Sequence, residues 1–153
     1  RWLNLRPPVH IIQLNLMVRK GRYSNQERLE SFNKIWESIK EADSPVVVEG
    51  KRDVIALRNL GYSGQLVRLN DGKSILYTVE KLVRKNGRGS MFVVLMDWDR
   101  TGEKLAKRLK EYGESCDLVP NLRIRRDLSA LCSKDITCVE ELPTFVNMLQ
   151  ISP

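Results

Sequence analysis

Three carboxylates are set apart by where they fall in the chain. Val46-Val47-Val48 runs straight into Glu49-Gly50-Lys51-Arg52-Asp53, and Val93-Val94-Leu95-Met96 runs into Asp97-Trp98-Asp99-Arg100-Thr101-Gly102. Each is a short apolar, mostly β-branched run that stops at acidic residues and a glycine and then turns helical. A buried parallel strand delivers side chains to the carboxyl edge of an open sheet in this way, and α/β folds bind ligands at that edge. Carboxylates converging there repel one another unless a divalent cation neutralises them. With oxygen ligands and no neighbouring His or Cys, the expected occupant is Mg²⁺, with Mn²⁺ as a substitute. The single His10 lies outside both motifs. Proton transfer must therefore rest on carboxylates, Lys or water.

The elements that position these residues can be read in order. Ser24-x-x-Glu27 is a capping box, and Leu29, Phe32, Ile35, Trp36 and Ile39 follow at helical spacing, which predicts an amphipathic helix over 25–41. Asp43-Ser44-Pro45 ends it. Strand one is expected at 46–49, followed by a helix burying Val54, Ile55, Leu57 and Leu60 and closed by Gly61. A strand at 65–69, a turn at Asn70-Asp71-Gly72, and a helix capped by Ser74 with Ile75, Leu76, Val79, Leu82 and Val83 inward come next. Strand three is expected at 91–97. Thr101 is then read as the cap of a helix that buries Leu105, Leu109 and Tyr112 and ends at Gly113, and residues 115–119 as the last core strand. Alternation of this kind gives a parallel sheet of about four strands with helices on both faces, plus an N-terminal helix and C-terminal helices. Past Pro120, Ile124, Leu128 and Leu131 are helical again, with Arg123, Arg125 and Arg126 forming a local basic patch. Thr137-x-x-Glu140 reads as a further capping box, and Pro143 as a kink or restart.

Glu49-Gly50-x-x-Asp53-x-x-Ala56-Leu57 followed by Asp97-x-Asp99-x-x-Gly102 resembles the Toprim domain of topoisomerases, bacterial primases, certain nucleases and recombination proteins. The details look nearest to small stand-alone archaeal Toprim proteins and to the Toprim ribonuclease that matures ribosomal RNA. The resemblance covers roughly residues 45–120, and it implies a compact Rossmann-like α/β fold. It also implies that Asp97 and Asp99 bind Mg²⁺ and that Glu49 is a further ligand or the acid–base at a phosphodiester. Topoisomerase chemistry needs a tyrosine that the family supplies from another domain, a context Tyr23, Tyr62, Tyr77 and Tyr112 lack. Primase activity needs template-binding parts for which the chain has little room.

Composition sets the remaining bounds. The chain has 153 residues, 42% hydrophobic and 29% charged, as in an ordinary globular domain. It divides into an N-terminal arm or leader (1–23, with Met17 a plausible natural start and 9–16 a potential strand), an amphipathic helix (24–44), the core (45–120) and a helical extension (121–153). No stretch has the length of a membrane span or the order of a signal peptide, so a cytoplasmic protein is expected. Cys116, Cys132 and Cys138 are too few and too unevenly spaced for a disulfide framework or zinc knuckle.

Net charge is +7, and the surplus is local: residues 51–112 hold 14 Lys/Arg against 7 Asp/Glu, while the flanks nearly cancel. A positive surround would attract a polyanion, RNA or DNA, while the carboxylates hold metal. Lys51, Arg100, Lys104 and Arg108, with Asn70 in the turn on the same edge, are the candidate phosphate or nucleic-acid contacts. For Lys51 and Arg100 the alternative is compensation of the acidic site, and Lys81, Arg84, Lys85 and Arg88 can equally answer a helix dipole. Trp98 reads as packing beside the sheet, and Asp53 as a helix-opening residue. Two functions fit: a Mg²⁺-dependent nuclease acting on structured RNA or DNA, or a non-catalytic metal-binding module that binds nucleic acid or assembles with a protein partner or a second copy. An unrelated phosphate-binding domain is disfavoured because bare carboxylates repel phosphate.

Overall fold

A computed structural model describes residues 24–69 and 72–151. The suggested strand at 9–16, the start at Met17, and Asn70 lie outside the described residues. Nothing apolar enough to cross a membrane occurs among the described helices.

The sheet has four parallel strands, β1 (Val46–Val48), β2 (Leu66–Arg68), β3 (Met91–Val94) and β4 (Val119–Asn121), in the order β2-β1-β3-β4. Val46 pairs with Leu66 on one side and Val93 on the other. Being central and covered on both faces, β1 can be all valine, and its three residues are fully buried. On one face lie α1 (Asn25–Ala42), α2 (Lys51–Asn59), α5 (Arg123–Cys132) and α6 (Leu142–Ile151), around Phe32, Ile35, Ile39, Leu57, Leu128 and Phe145. On the other lie α3 (Ile75–Asn86) and α4 (Arg100–Ser115), around Val79, Leu82, Phe92 and Leu109. The chain steps outward from β1 to β2 and then crosses to β3 on the far side of β1. Strand order therefore reverses between β1 and β3, and the crevice outside their carboxyl ends is where an open α/β sheet accepts a ligand.

Several local expectations hold. Ser24 caps α1 through the Glu27 amide, Ser74 caps α3 through the Tyr77 amide, and Pro143 sits in the first turn of α6, restarting the helix. Others change. Ile55 and Leu76, expected inside, are 50% and 41% exposed, because the helices are short and only part of each apolar stripe meets the sheet. Asp99, not Thr101, is the N-cap of α4, accepting from the Gly102 amide. Gly113 lies inside α4 because the Phe92 ring presses on it; an added β-carbon would meet the ring at 2.8 Å. The helix thus continues to Ser115 and the last strand moves to 119–121. It is an edge strand there, so Pro120 can be accommodated. Thr137-x-x-Glu140 caps no α-helix; Cys138 opens a short 3-10 turn, Val139–Glu141, instead.

Candidate metal and nucleic-acid site

The site forms where β1 and β3 end. After Val94 the ladder stops, yet the Leu95 amide still donates to the Val47 carbonyl at 2.9 Å, so Leu95 and Met96 stay buried as the chain leaves the sheet. Asp97, Trp98 and Asp99 then bend over the carboxyl edge. This departure from strand geometry lets two aspartates in an Asp-x-Asp sequence serve one location. Trp98 packs against the core of the α1/α2 face and donates Nε1 to the Ile136 carbonyl at 2.7 Å, which makes it structural, as expected.

Glu49, arriving from β1, shares a hydrogen bond with Asp97. Partial burial, then the Asp97 and Asp53 charges, that shared bond and the Asp99 charge push the Glu49 carboxyl up to about 6. Burial also raises Asp97, with the Asp99 and Glu140 charges adding to it, against the opposing effect of the Val139 amide, which donates to Asp97 Oδ1 at 2.9 Å. Asp53 is 5% exposed, and its Oδ2 accepts from the Gly50 amide at 3.0 Å. Burial raises its carboxyl too. Its helix-opening role is therefore real, and it also belongs to the acidic pool. Four carboxylates, Glu49, Asp53, Asp99 and Glu140, act electrostatically on or with Asp97.

This donor set suits a hard divalent cation: it is all oxygen, and at Glu49, Asp53 and Asp97 burial first, with neighbouring carboxylates adding to it, disfavours the charged form that a cation would stabilise. Among the described residues, however, no three such side chains are already arranged to hold a metal ion. One cause is visible at Asp99, whose Oδ1 is turned to the Gly102 amide at 2.7 Å and closes the first turn of α4. Glu49 and Asp97 are brought together; Asp99 stands beside them with one oxygen engaged.

Of the expected phosphate contacts, Arg108 lines a cleft of about 400 Å³ with Glu49, Leu69, Lys73, Ser74, Ile75 and Leu105. Lys51, Arg100 and Lys104 are exposed, and Lys51 lines a separate groove beside β2.

Two supports of the site differ from, or go beyond, what the sequence suggests. Arg125, expected in a surface patch with Arg123 and Arg126, is 6% exposed and acts as a clamp. Its Nε donates to the Met96 carbonyl at 3.1 Å and its NH2 nitrogen to the Asp97 carbonyl at 2.8 Å, while NH1 meets Glu103 at 2.9 Å. The end of β3 is thereby tied to α4. The second support is the 3-10 turn, whose Val139 amide orients Asp97 and whose Glu140 adds charge. An arginine in an otherwise apolar helical stripe between Ile124 and Leu128 was a signal for the clamp; none in the sequence pointed to Val139.

The Toprim domain pattern matches residues 44–130, more than half the chain and spanning both acidic strand ends. The chain belongs to the Toprim family. The chain is also similar to archaeal proteins: a UPF0292 protein of Methanosarcina barkeri is 36% identical over 129 residues, covering 82% of this chain and 87% of the relative. One from Pyrococcus furiosus is 38% identical over 116 residues, covering 76% and 84%. In structure, this Toprim chain is similar to a putative protein from Aquifex aeolicus, with TM-score 0.60 and 25% identity, covering 71% of this chain and 95% of that one. Toprim membership suggests a metal-dependent role connected with nucleic acid.

Proposed function

We propose that the protein is a Mg²⁺-dependent nuclease that cleaves phosphodiester bonds in structured RNA or in DNA. The observation that carries this reading is the meeting of the Glu49 and Asp97 carboxyls at the β1/β3 switch point, inside an acidic pool with a basic surround. Asp97, Asp99 and Glu49 would hold the ion, Asp99 through the oxygen not spent on the helix cap. When bound, the ion supplies neutralisation of charge on the transferring phosphoryl group. Glu49, pushed up to about 6 in the metal-free site, is the carboxyl suited to pass a proton to the departing oxygen, or else it serves as a ligand. Arg125 and the Val139 amide keep Asp97 in place. Arg108, beside Glu49 in the cleft, is suited to a substrate phosphate, and Lys51, Arg100 and Lys104 to neighbouring ones.

The engagement of Asp99 in capping favours a second reading, a module that binds nucleic acid and metal without cleaving or that assembles with a processing complex. One experiment separates them. The pure protein is incubated with labelled structured RNA and with duplex DNA, in Mg²⁺ and in chelator, beside the Asp97→Asn variant. A nuclease cleaves in Mg²⁺ only, and Asp97→Asn abolishes cleavage while binding stays intact or tightens. Binding without cleavage on every substrate selects the module. Glu49→Gln then separates its two roles, since loss of cleavage with metal affinity retained marks the acid–base and loss of both marks the ligand.

A further inference from the structure

The basic run at the end of α3 divides in two. Arg84 and Arg88 turn toward Glu80, Ser115 and Cys116, and Arg88 pairs with Asp117 at 2.7 Å. Lys81 and Lys85, one helical turn apart, turn the other way and face β2, the outermost strand among the described residues. There they line a groove of about 610 Å³ with Lys51, Arg58 and Arg68, around the backbone of Gln65 to Arg68. Among the described residues no acidic side chain lines this groove, and none of Lys51, Arg68, Lys81 and Lys85 is in an ion pair. Arg58 is fixed by bonds from NH1 to the Tyr62 and Gly64 carbonyls at 2.9 and 2.8 Å, which sets its charge at one end. Five cations with no carboxylate among them are costly to gather unless an anion shares the space.

The groove has a direction. Lys51 and Arg68 stand at the carboxyl edge of the sheet, where α2 begins and β2 ends, whereas Arg58 and Lys85 stand near the opposite edge. From Lys51 to Arg58 the helix advances about 10 Å, long enough to follow more than one phosphate of a strand. At the carboxyl edge the groove adjoins the cleft of Glu49 and Arg108, because Arg68 precedes Leu69 and Lys51 follows two residues after Glu49.

We propose that this groove is the path of a nucleic-acid strand, whose phosphodiester backbone runs along the β2 edge and reaches the acidic site at the Lys51–Arg68 end. The inference rests on the nucleic-acid reading above and adds the route of approach. Arg58, Arg68, Lys81 and Lys85 become backbone-binding residues, and sequence preference is not expected of them.

The test is fluorescence anisotropy with a short labelled single-stranded RNA, and the DNA of the same sequence, in chelator across a salt series. Lys81→Glu combined with Lys85→Glu is compared with Lys34→Glu combined with Lys40→Glu on α1, which changes net charge equally. Circular dichroism verifies that each is folded, and Arg68→Gln gives a milder third variant. The groove pair should weaken binding roughly tenfold or more and lower the slope of log affinity against log salt by about 1.4, or 0.7 per lost contact. The α1 pair should do neither. Unchanged affinity and slope in the groove pair, with wild type still binding, overturns the groove and leaves the nucleic-acid reading standing. Failure of wild type to bind either single strand overturns the groove, and failure to bind structured RNA and duplex DNA as well overturns the nucleic-acid reading. Displacement of the RNA by polyglutamate as readily as by RNA replaces the strand with an acidic protein. New self-association of the groove pair with nucleic-acid affinity unchanged shows the lysines to be edge guards against strand pairing and also overturns it.

Discussion

Gly102 is where the helix that follows the second motif touches the backbone of the first aspartate. A β-carbon there would lie 1.8 Å from the Asp97 carbonyl oxygen and 2.5 Å from its carbonyl carbon. An ordinary carbon–oxygen approach is about 3.3 Å, so Gly102→Ala must part the two backbones by about 1.5 Å. Nothing flexible can absorb this. The Asp97 carbonyl is held by Arg125, its side chain by the Val139 amide, and the Gly102 amide by Asp99 Oδ1. Overpacking costs about 1–3 kcal/mol, and a backbone-on-backbone clash belongs at about 3. In a chain of this length that lowers Tm by about 6–12 °C. The same shift pulls Asp97 from Glu49, and a misplacement of about 1 Å can cost about 100-fold in rate. Thermal unfolding followed by circular dichroism, with Mg²⁺ titration and cleavage assayed well below the transition, measures both effects. Gly50→Ala is the control: the other motif glycine has φ of −149°, and a β-carbon added to it would find nothing within 4 Å, so its Tm should hardly move. A Gly102→Ala protein with Tm within about 2 °C of wild type and unaltered Mg²⁺ affinity would refute the argument from close approach.

Arg125→Met should cost about 2–3 kcal/mol in urea unfolding, since it orphans the Met96 and Asp97 carbonyls while leaving Glu103, 74% exposed, safely in water; a loss below about 0.5 kcal/mol would show the clamp to be idle. Asp99→Asn should keep the cap of α4 and Asp99→Ala should lose about 1 kcal/mol more, whereas both weaken Mg²⁺ binding; equal stability of the two would mean that the Gly102 bond contributes nothing. In chelator, Glu49 binds its proton more tightly folded than unfolded, about 6 against 4.5, so its contribution to stability is whole below 4.5 and is lost as pH rises through about 6. Mg²⁺ should consequently raise Tm more above pH 6 than below pH 4.5, and Glu49→Gln should flatten the pH dependence in chelator; a metal effect independent of pH would count against Glu49 as part of the site.

What the sequence determined by itself was the local grammar. Valine runs that stop at Glu49 and Asp97, caps at Ser24 and Ser74, and strand–helix alternation are short-range patterns, and they were enough for a parallel α/β sheet with carboxylates at its ligand-binding edge. Strand three, expected to run to 97, ends at Val94, and the bend that follows carries both aspartates of the Asp-x-Asp sequence over the sheet edge. Tertiary structure decided the rest, because the deciding contacts join residues far apart in the chain. Arg125 became a buried clamp only because α5 packs behind the end of β3, 28 residues away, and Val139 reached Asp97 across 42. Gly113 stayed inside a helix because of Phe92, and Asp99 took the capping place expected of Thr101 because the bend after Met96 set it there. Lys81 and Lys85 were parted from Arg84 and Arg88 by the rotation of α3 against the sheet, which no run of like charges can reveal. Periodicity says which face of an element is buried; which partner covers that face, and hence which polar groups meet, depends on the packing of the whole chain.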